Sequence, residues 1–307
     1  MTSTAAFLLA NRPSVAARYG LKVLACELAR HRGLRPTVTY ATHRTGSTAV
    51  HRAIRGSSRA AVKAHALAPA HLSPRRRDRF RGLRAEDGVP IGFHVGDWVV
   101  RRAIVEPRCA ADFVVLLREP VAVAASLFAG GREWWAPGLA ASLDEPRMLD
   151  DEAVHLAADS LESRVPSTLI RDWLRHDLAP TLGLDLLEVT FDRDRGFAAI
   201  ERGPWRIALL RSDLSDERKQ QELSTFLRRV VPRPATMNAT AQAAPWVRRA
   251  MQLARRALAS RPALVDRLLD EPFVEHLWSP AEVASLRRAW RGTGGTIAPS
   301  EAMMTAT

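Results

Sequence analysis

From Thr37 to Ala41 the chain reads Thr-Val-Thr-Tyr-Ala, a β-branched run that fits a buried strand. It passes at once through His43-Arg44-Thr45-Gly46-Ser47-Thr48 into Ala49 to Ile54, where apolar residues fall at helical spacing. Gly56-Ser57-Ser58 stops that helix, and Arg59 to Ala66 reads as a second strand. Val95 to Glu106 carries helical periodicity up to Pro107. Asp112 to Leu117 is then the continuous apolar run of a parallel strand covered on both faces, and after Arg118-Glu119-Pro120 a further helix starts at Val121 and runs to Phe128. Leu186 to Phe191 and Trp205 to Leu210 are two more strand candidates, and from Asp216 to Trp290 the pattern is helical. Strands alternating with helices predict an α/β fold: a P-loop-like parallel sheet flanked by helices, with a helical C-terminal region and ligands at the carboxyl ends of the strands. Three parts follow: a helical N-terminal appendage over 1–35, an α/β domain over 36–295 whose part 216–290 is helical, and a flexible tail over 296–307. In the appendage Leu21, Leu24 and Leu28 share one apolar face. The basic stretch Pro74 to Arg84 reads as a solvated loop or a mobile helix.

Composition narrows the classes. With 47% hydrophobic and 25% charged residues, the 307-residue chain can bury a real core, which excludes a mostly unstructured protein. Two distant cysteines, Cys26 and Cys109, exclude both a disulfide framework and a cysteine-built zinc site, and make a reducing compartment the expectation. No stretch approaches the roughly 18 consecutive apolar residues of a membrane span. Ala5 to Ala10 is too short for a signal segment, so a cytoplasmic location is expected. Basic residues outnumber acidic ones 45 to 33, a net charge of +12, and all but Lys22, Lys63 and Lys219 are arginine. A GC-rich coding sequence explains part of that bias. The functional reading is a polyanionic ligand, because guanidinium groups grip phosphate and sulfate in bidentate fashion; net charge alone does not choose between a nucleotide, an acidic glycan, a membrane surface and nucleic acid.

The segment His43, Arg44, Thr45, Gly46, Ser47, Thr48 lies between a strand and a helix, where backbone N–H groups and a helix N-terminus converge on one spot. Gly46 permits close backbone approach, Ser47 and Thr48 add hydroxyls, and Arg44 adds a permanent cation. It is not a Walker A loop, which requires lysine after its second glycine, and an ordinary polar turn is the plain alternative. The string LLREPVAVAAS supplies a second element: Arg118 closes an apolar strand, and Ser126 sits about two turns into the next helix. Together they could clamp a second phosphate of the same ligand.

This combination resembles the PAPS-dependent sulfotransferases, with Arg44-Thr45-Gly46-Ser47-Thr48 as the 5′-phosphosulfate loop and Arg118, Pro120 and Ser126 as the 3′-phosphate element. More narrowly, the chain is similar to the bacterial sulfotransferase-like family of capsular polysaccharide synthesis, or NKWYS-motif, proteins. That match rests on Asp172-Trp173-Leu174, Gly183-Leu184-Asp185, Phe191 to Phe197, and Glu275 to Pro280, and covers roughly Thr37 to Trp290. Arg44 stands where cytosolic members carry lysine. The NKWYS segment is degenerate: Asn238 is followed by no lysine, and Pro245-Trp246 is a loose match. The glycine-rich Arg291 to Gly295 is similar to a late 3′-phosphate loop, although glycine-rich C-termini often simply fray. The resemblance implies PAPS as donor, PAP as product and no metal.

Sulfuryl transfer needs cations on the developing charge and a group that takes the acceptor's proton. In Val62-Lys63-Ala64-His65 the histidine ends the second strand, and the K-x-H pattern resembles the catalytic strand of cytosolic members; Lys63 and His65, two apart, point to one face. His94 competes as the base, ahead of a helix and with Asp97 nearby to orient it. His65 ranks first because a strand end is better defined than a loop. His43, His51 and His71 read as loop or helix-surface residues, and Trp134-Trp135 could line an acceptor pocket. The expected partner is a glycan or small-molecule acceptor rather than nucleic acid, since no nucleic-acid-binding signature accompanies the arginines. A peripheral membrane contact, the acceptor's identity and the oligomeric state stay open. A P-loop-like nucleotide-dependent kinase and a non-catalytic polyanion-binding protein are the alternative readings.

Overall fold

In a computed structural model, residues 13–42, 44–58, 60–68, 91–131, 135, 139, 150–234 and 244–292 are described. Five strands, β1 (Thr37–Ala41), β2 (Ala61–Ala64), β3 (Ala111–Leu117), β4 (Phe197–Arg202) and β5 (Trp205–Arg211), form one sheet in the order β2-β1-β3-β5-β4. β1, β2, β3 and β5 are mutually parallel, and β4 pairs antiparallel with β5 at the edge. A two-residue turn joins that hairpin, with Gly203 at φ 55 in the conformation a side chain would disfavour.

The helices are α1 (Pro13–His31), α2 (Ser47–Ser57), α3 (Ile91–Val100, prolonged by a π turn over Arg101–Val105), α4 (Pro120–Gly130), α5 (Asp151–Arg164) and α6 (Leu169–Trp173). A second π turn, Leu174–Leu178, leads to α7 (Ala179–Leu182), and α8 (Asp216–Leu227), α9 (Pro245–Ala259), α10 (Pro262–Leu269), α11 (Pro272–Leu277) and α12 (Pro280–Arg291) follow. They cover the sheet unequally. Ala41, Ala61, Val114, Leu116, Ala208 and Leu210 pack one face against Val50 and Ile54 of α2 and Leu223 and Phe226 of α8. The opposite face, through Val38, Tyr40, Val62, Phe113, Val115, Ile207 and Leu209, belongs to a larger core with α3, α4, α5 and the C-terminal helices. Full burial of every β3 residue follows from this double coverage, as its uninterrupted apolar run predicts. Among the described residues no helix is long and apolar enough to cross a membrane.

Two expectations fail. Leu186 to Phe191 is not a strand: Leu186–Glu188 form a 3₁₀ turn, because Asp185 accepts a hydrogen bond from the Leu187 backbone N–H (3.0 Å) and closes the chain locally. The fifth strand is instead Phe197–Arg202, whose outer half is exposed and whose apolar signal is correspondingly weak. Helix α3 also starts earlier than Val95, so His94 lies within it rather than ahead of it.

Candidate functional site

The chain leaves β1 for α2 on one face of the sheet and leaves β3 for α4 on the other. β1 and β3 are neighbours, so the loops that leave their carboxyl ends diverge to opposite faces at the point where the strand order reverses, the place where a parallel sheet forms its ligand crevice. The two anion elements read from the sequence occupy those two ends.

On the β1 side, Arg44 (φ 64) and Gly46 (φ 75) are both left-handed. Such alternation about Thr45 turns successive backbone N–H groups toward one concavity. Thr45 is buried and its hydroxyl donates to the Thr42 carbonyl (3.2 Å), which closes the loop from inside. Gly46 is the N-cap of α2 and has no side chain to cap it, and the helix carries no acidic residue in its first turn. Its positive end is therefore uncompensated. Helix α4 differs. Glu119 caps it, its carboxylate accepting from the Ala122 N–H (2.7 Å), so the protein's own carboxylate fills that terminus. The crevice thus offers an anion one helix end, that of α2, and a side chain, Arg118, from the other strand.

Arg118 is half-buried and spans the crevice: its Nη1 donates to the Arg44 carbonyl oxygen (2.5 Å). Burial lowers its pKa, and Glu119 and Asp213 oppose that change. The Arg44 guanidinium is exposed and reaches the far end of α4, where Nη2 donates to the Gly130 carbonyl (2.9 Å). A cation on the last carbonyls of a helix is favoured by the helix dipole. Ala122, Ser126 and Gly130 recur every four residues as the half-buried stripe of α4, so Ser126 stands one turn before the carbonyl that Arg44 touches.

β2 contributes the third part. Lys63 Nζ donates to the Thr48 hydroxyl (2.8 Å), bringing an ammonium to the first turn of α2, and burial lowers its pKa while Asp97 raises it. His65 is buried just past the strand, with Nδ1 2.7 Å from the Ala41 carbonyl oxygen. A carbonyl only accepts, so Nδ1 carries the proton and Nε2 holds the lone pair of the neutral ring. The backbone of His65 is gripped on both sides: its N–H donates to Asp97 Oδ1 (2.6 Å), and its carbonyl accepts from Trp173 Nε1 (2.8 Å). His51, expected on a surface, is instead half-buried with Nδ1 3.3 Å from the Thr39 hydroxyl. Burial, then Lys22, Lys63 and Arg55, pushes its pKa down to about 4, a sign of the positive field around α2.

Arg44 to Thr48 follow β1, His65 follows β2 and Arg118 follows β3, at the carboxyl ends of neighbouring parallel strands, with Lys63 of β2 tied to Thr48; Ser126 lies about two turns into α4. His43, Trp134 and Asn238 lie outside the described residues, as does the side chain of His94. The Asp97 carboxylate accepts from the backbone N–H groups of His65 and Ala66, 31 to 32 residues away. Trp135 is buried against Phe128 and Trp246, with its indole N–H on the Phe128 carbonyl, and is a core residue. The remaining motifs are also architectural. Arg193 of the Phe191 to Phe197 segment donates to the carbonyls of Glu275 and His276, and Trp278 Nε1 donates to Asp213. Sequence reasoning missed Glu119, whose only signal was its place before Pro120, and Asp177, which accepts from the Tyr40 hydroxyl and the Leu67 and Ala68 N–H groups. Compared with models of protein families, with curated proteins and with solved structures, the chain matches none of them.

Proposed function

We propose that the crevice between β1 and β3 is a P-loop-like site for PAPS and that the chain is a sulfotransferase acting on a hydroxyl of a glycan or other small-molecule acceptor. One observation carries the reading: at the switch point of a parallel sheet the N-terminus of α2 has no side-chain cap, Lys63 reaches its first turn, Arg118 bridges to the loop ahead of it, and a buried histidine follows the neighbouring strand. Phosphate and sulfate groups suit such a terminus. In this reading the 5′-phosphosulfate lies on Arg44 to Thr48 and the 3′-phosphate on Arg118 and Ser126. The acceptor oxygen attacks sulfur in line, the bond from sulfur to the phosphate oxygen breaks, and PAP departs. His65 Nε2 takes the acceptor's proton, and Lys63 stabilises the charge that develops on the departing oxygen.

The test is a thermal-shift comparison of PAP, ATP with Mg²⁺, and short oligonucleotides, followed by calorimetry on variants. PAP should raise the melting temperature by mass action. Arg118→Ala should weaken PAP binding by about 1.5–3 kcal/mol, the range for a charge-assisted hydrogen bond. Stabilisation by ATP with Mg²⁺ alone would favour a kinase, by oligonucleotides alone a polyanion-binding protein, and unchanged PAP affinity in Arg118→Ala would remove the site assignment.

A further inference from the structure

Helix α1 has two faces with different fates. Cys26 and Ala29 are buried and Val23 packs against the main core, so this side seats the helix on α3 and the π turn behind it. At about 100° per residue, Leu21, Leu24 and Leu28 fall on the opposite side, and they are 67%, 53% and 46% exposed. Three of the six exposed large apolar side chains among the described residues thus form a single stripe. A contiguous stripe marks a contact surface where scattered residues would not.

Its spacing identifies the partner. Ala17, Leu21, Leu24, Leu28 and His31 follow one another by four, three, four and three residues, and all are exposed. That is the narrow 3.5-residue seam by which one helix meets another, distinct from the wider stripe a helix turns toward its own core. With Leu21 and Leu28 as a positions and Leu24 as d, Glu27 is a g position, and Arg32, five residues on at the helix end, is the following e position. A parallel pair of identical helices brings g of one chain against that e of the other, so Glu27, which also pairs with Arg30 of its own helix (2.8 Å), stands against Arg32 of opposite charge, the residue that follows α1. An antiparallel pair would set Glu27 against Gly20.

We infer that Leu21, Leu24 and Leu28 form the seam of a parallel helix pair with a second copy of this chain. The seam maps onto itself under a two-fold axis, as an isologous contact must. It spans about two heptads, short for a helix pair, so association is expected in the micromolar range.

Sedimentation equilibrium of the full chain, from sub-micromolar to hundreds of micromolar, tests this directly. The mass should climb from monomer to dimer, and Leu24→Lys and Leu28→Lys should each hold it at the monomer. Their thermal midpoints in dilute solution should match that of the unsubstituted chain, because these leucines face away from their own core. Oxidised Leu28→Cys should form a covalent dimer, since a positions face each other across a parallel seam, whereas in an antiparallel pair a faces d and Leu28 would face Ala17. The native thiols, Cys26 and Cys109, are buried and should not compete. A monomer at every concentration, a dimer that survives both lysine variants, or no cross-link in oxidised Leu28→Cys would each overturn the inference. So would a monomer that binds anionic vesicles through the same leucines, which would assign the stripe to lipid.

Discussion

His65 and Lys63 are two residues apart in sequence, yet the structure gives them different supports. The ring of His65 is fixed by the Ala41 carbonyl and its backbone by Asp97 and Trp173, whereas Lys63 hangs from the Thr48 hydroxyl. The K-x-H string was legible because both residues belong to one short strand end. The support for His65 was not, because its donors and acceptors come from 24, 32 and 108 residues away. If His65 takes the acceptor proton, His65→Ala should lose roughly 10²–10⁴-fold in turnover while its PAP affinity and folded state persist. Lys63→Ala should also be damaging, and His94→Ala mild. Turnover is to be measured at saturating PAPS, so that weakened donor binding is not mistaken for slower chemistry. A dead His94→Ala beside an active His65→Ala would move the base to α3, and full activity in both would leave the proton another route.

At the scale of elements, two glycines hold the crevice and make opposite predictions. Gly96 lets α3 lie directly on β2: a Cβ there would stand 1.9 Å from the Lys63 carbonyl oxygen, a backbone atom that cannot step aside. Gly96→Ala should therefore push helix and strand apart, cost about 1–3 kcal/mol as overpacking does, and weaken activity by displacing Lys63 and His65. Gly130 lies under the Arg44 guanidinium, and a Cβ would come within 2.0 Å of Nη2. That obstacle is the tip of a flexible side chain, so Gly130→Ala should leave stability nearly unchanged and release Arg44 from the helix end. Urea denaturation of both variants separates the cases, and equal losses would show that Arg44 is as immovable as backbone. Neither role could be read from sequence, where both glycines look like ordinary interruptions. β1, β3 and β5 were legible because buried parallel strands carry runs dominated by apolar or β-branched residues, and β2 because it is short and follows the stop at Gly56 to Ser58. Leu186 to Phe191 misled because Leu186 and Val189 are buried while Leu187 and Glu188 between them are exposed, a three-residue period written in strand-forming residues.

Across the whole molecule, the C-terminal helices and the crevice are tied together at Glu119. Its carboxylate accepts from the Ala122 N–H on α4 and from Trp290 Nε1 near the end of α12, and it lies beside Arg118. Burial pushes its pKa from 4.5 up to about 7, against the pull of Arg118 and these donors. Burial raises Asp177 in the same way, from 3.8 to about 7, although it accepts from the Leu67 and Ala68 N–H groups. A carboxyl whose folded pKa exceeds its unfolded one holds its proton more tightly in the folded state, so its stability contribution falls as pH rises between the two values and is level above the higher. The window here runs from about pH 4 to about pH 7. A shift of this size is on the order of 3 kcal/mol per group. Asp213 works in the opposite direction: Arg211 and Trp278 outweigh its burial and hold its carboxyl below the usual range, so its contribution is lost only as pH falls below about 4. Stability should therefore be greatest near pH 4 and decline to about pH 7, above which it levels off, with the midpoint of urea unfolding falling over that interval. Glu119→Gln keeps an oxygen for Ala122 and Trp290 but has no proton to lose, so it should flatten about half of the decline, and Asp177→Asn most of the remainder. An undiminished decline in the double variant would place its source elsewhere and show that both carboxyls titrate as they do in water.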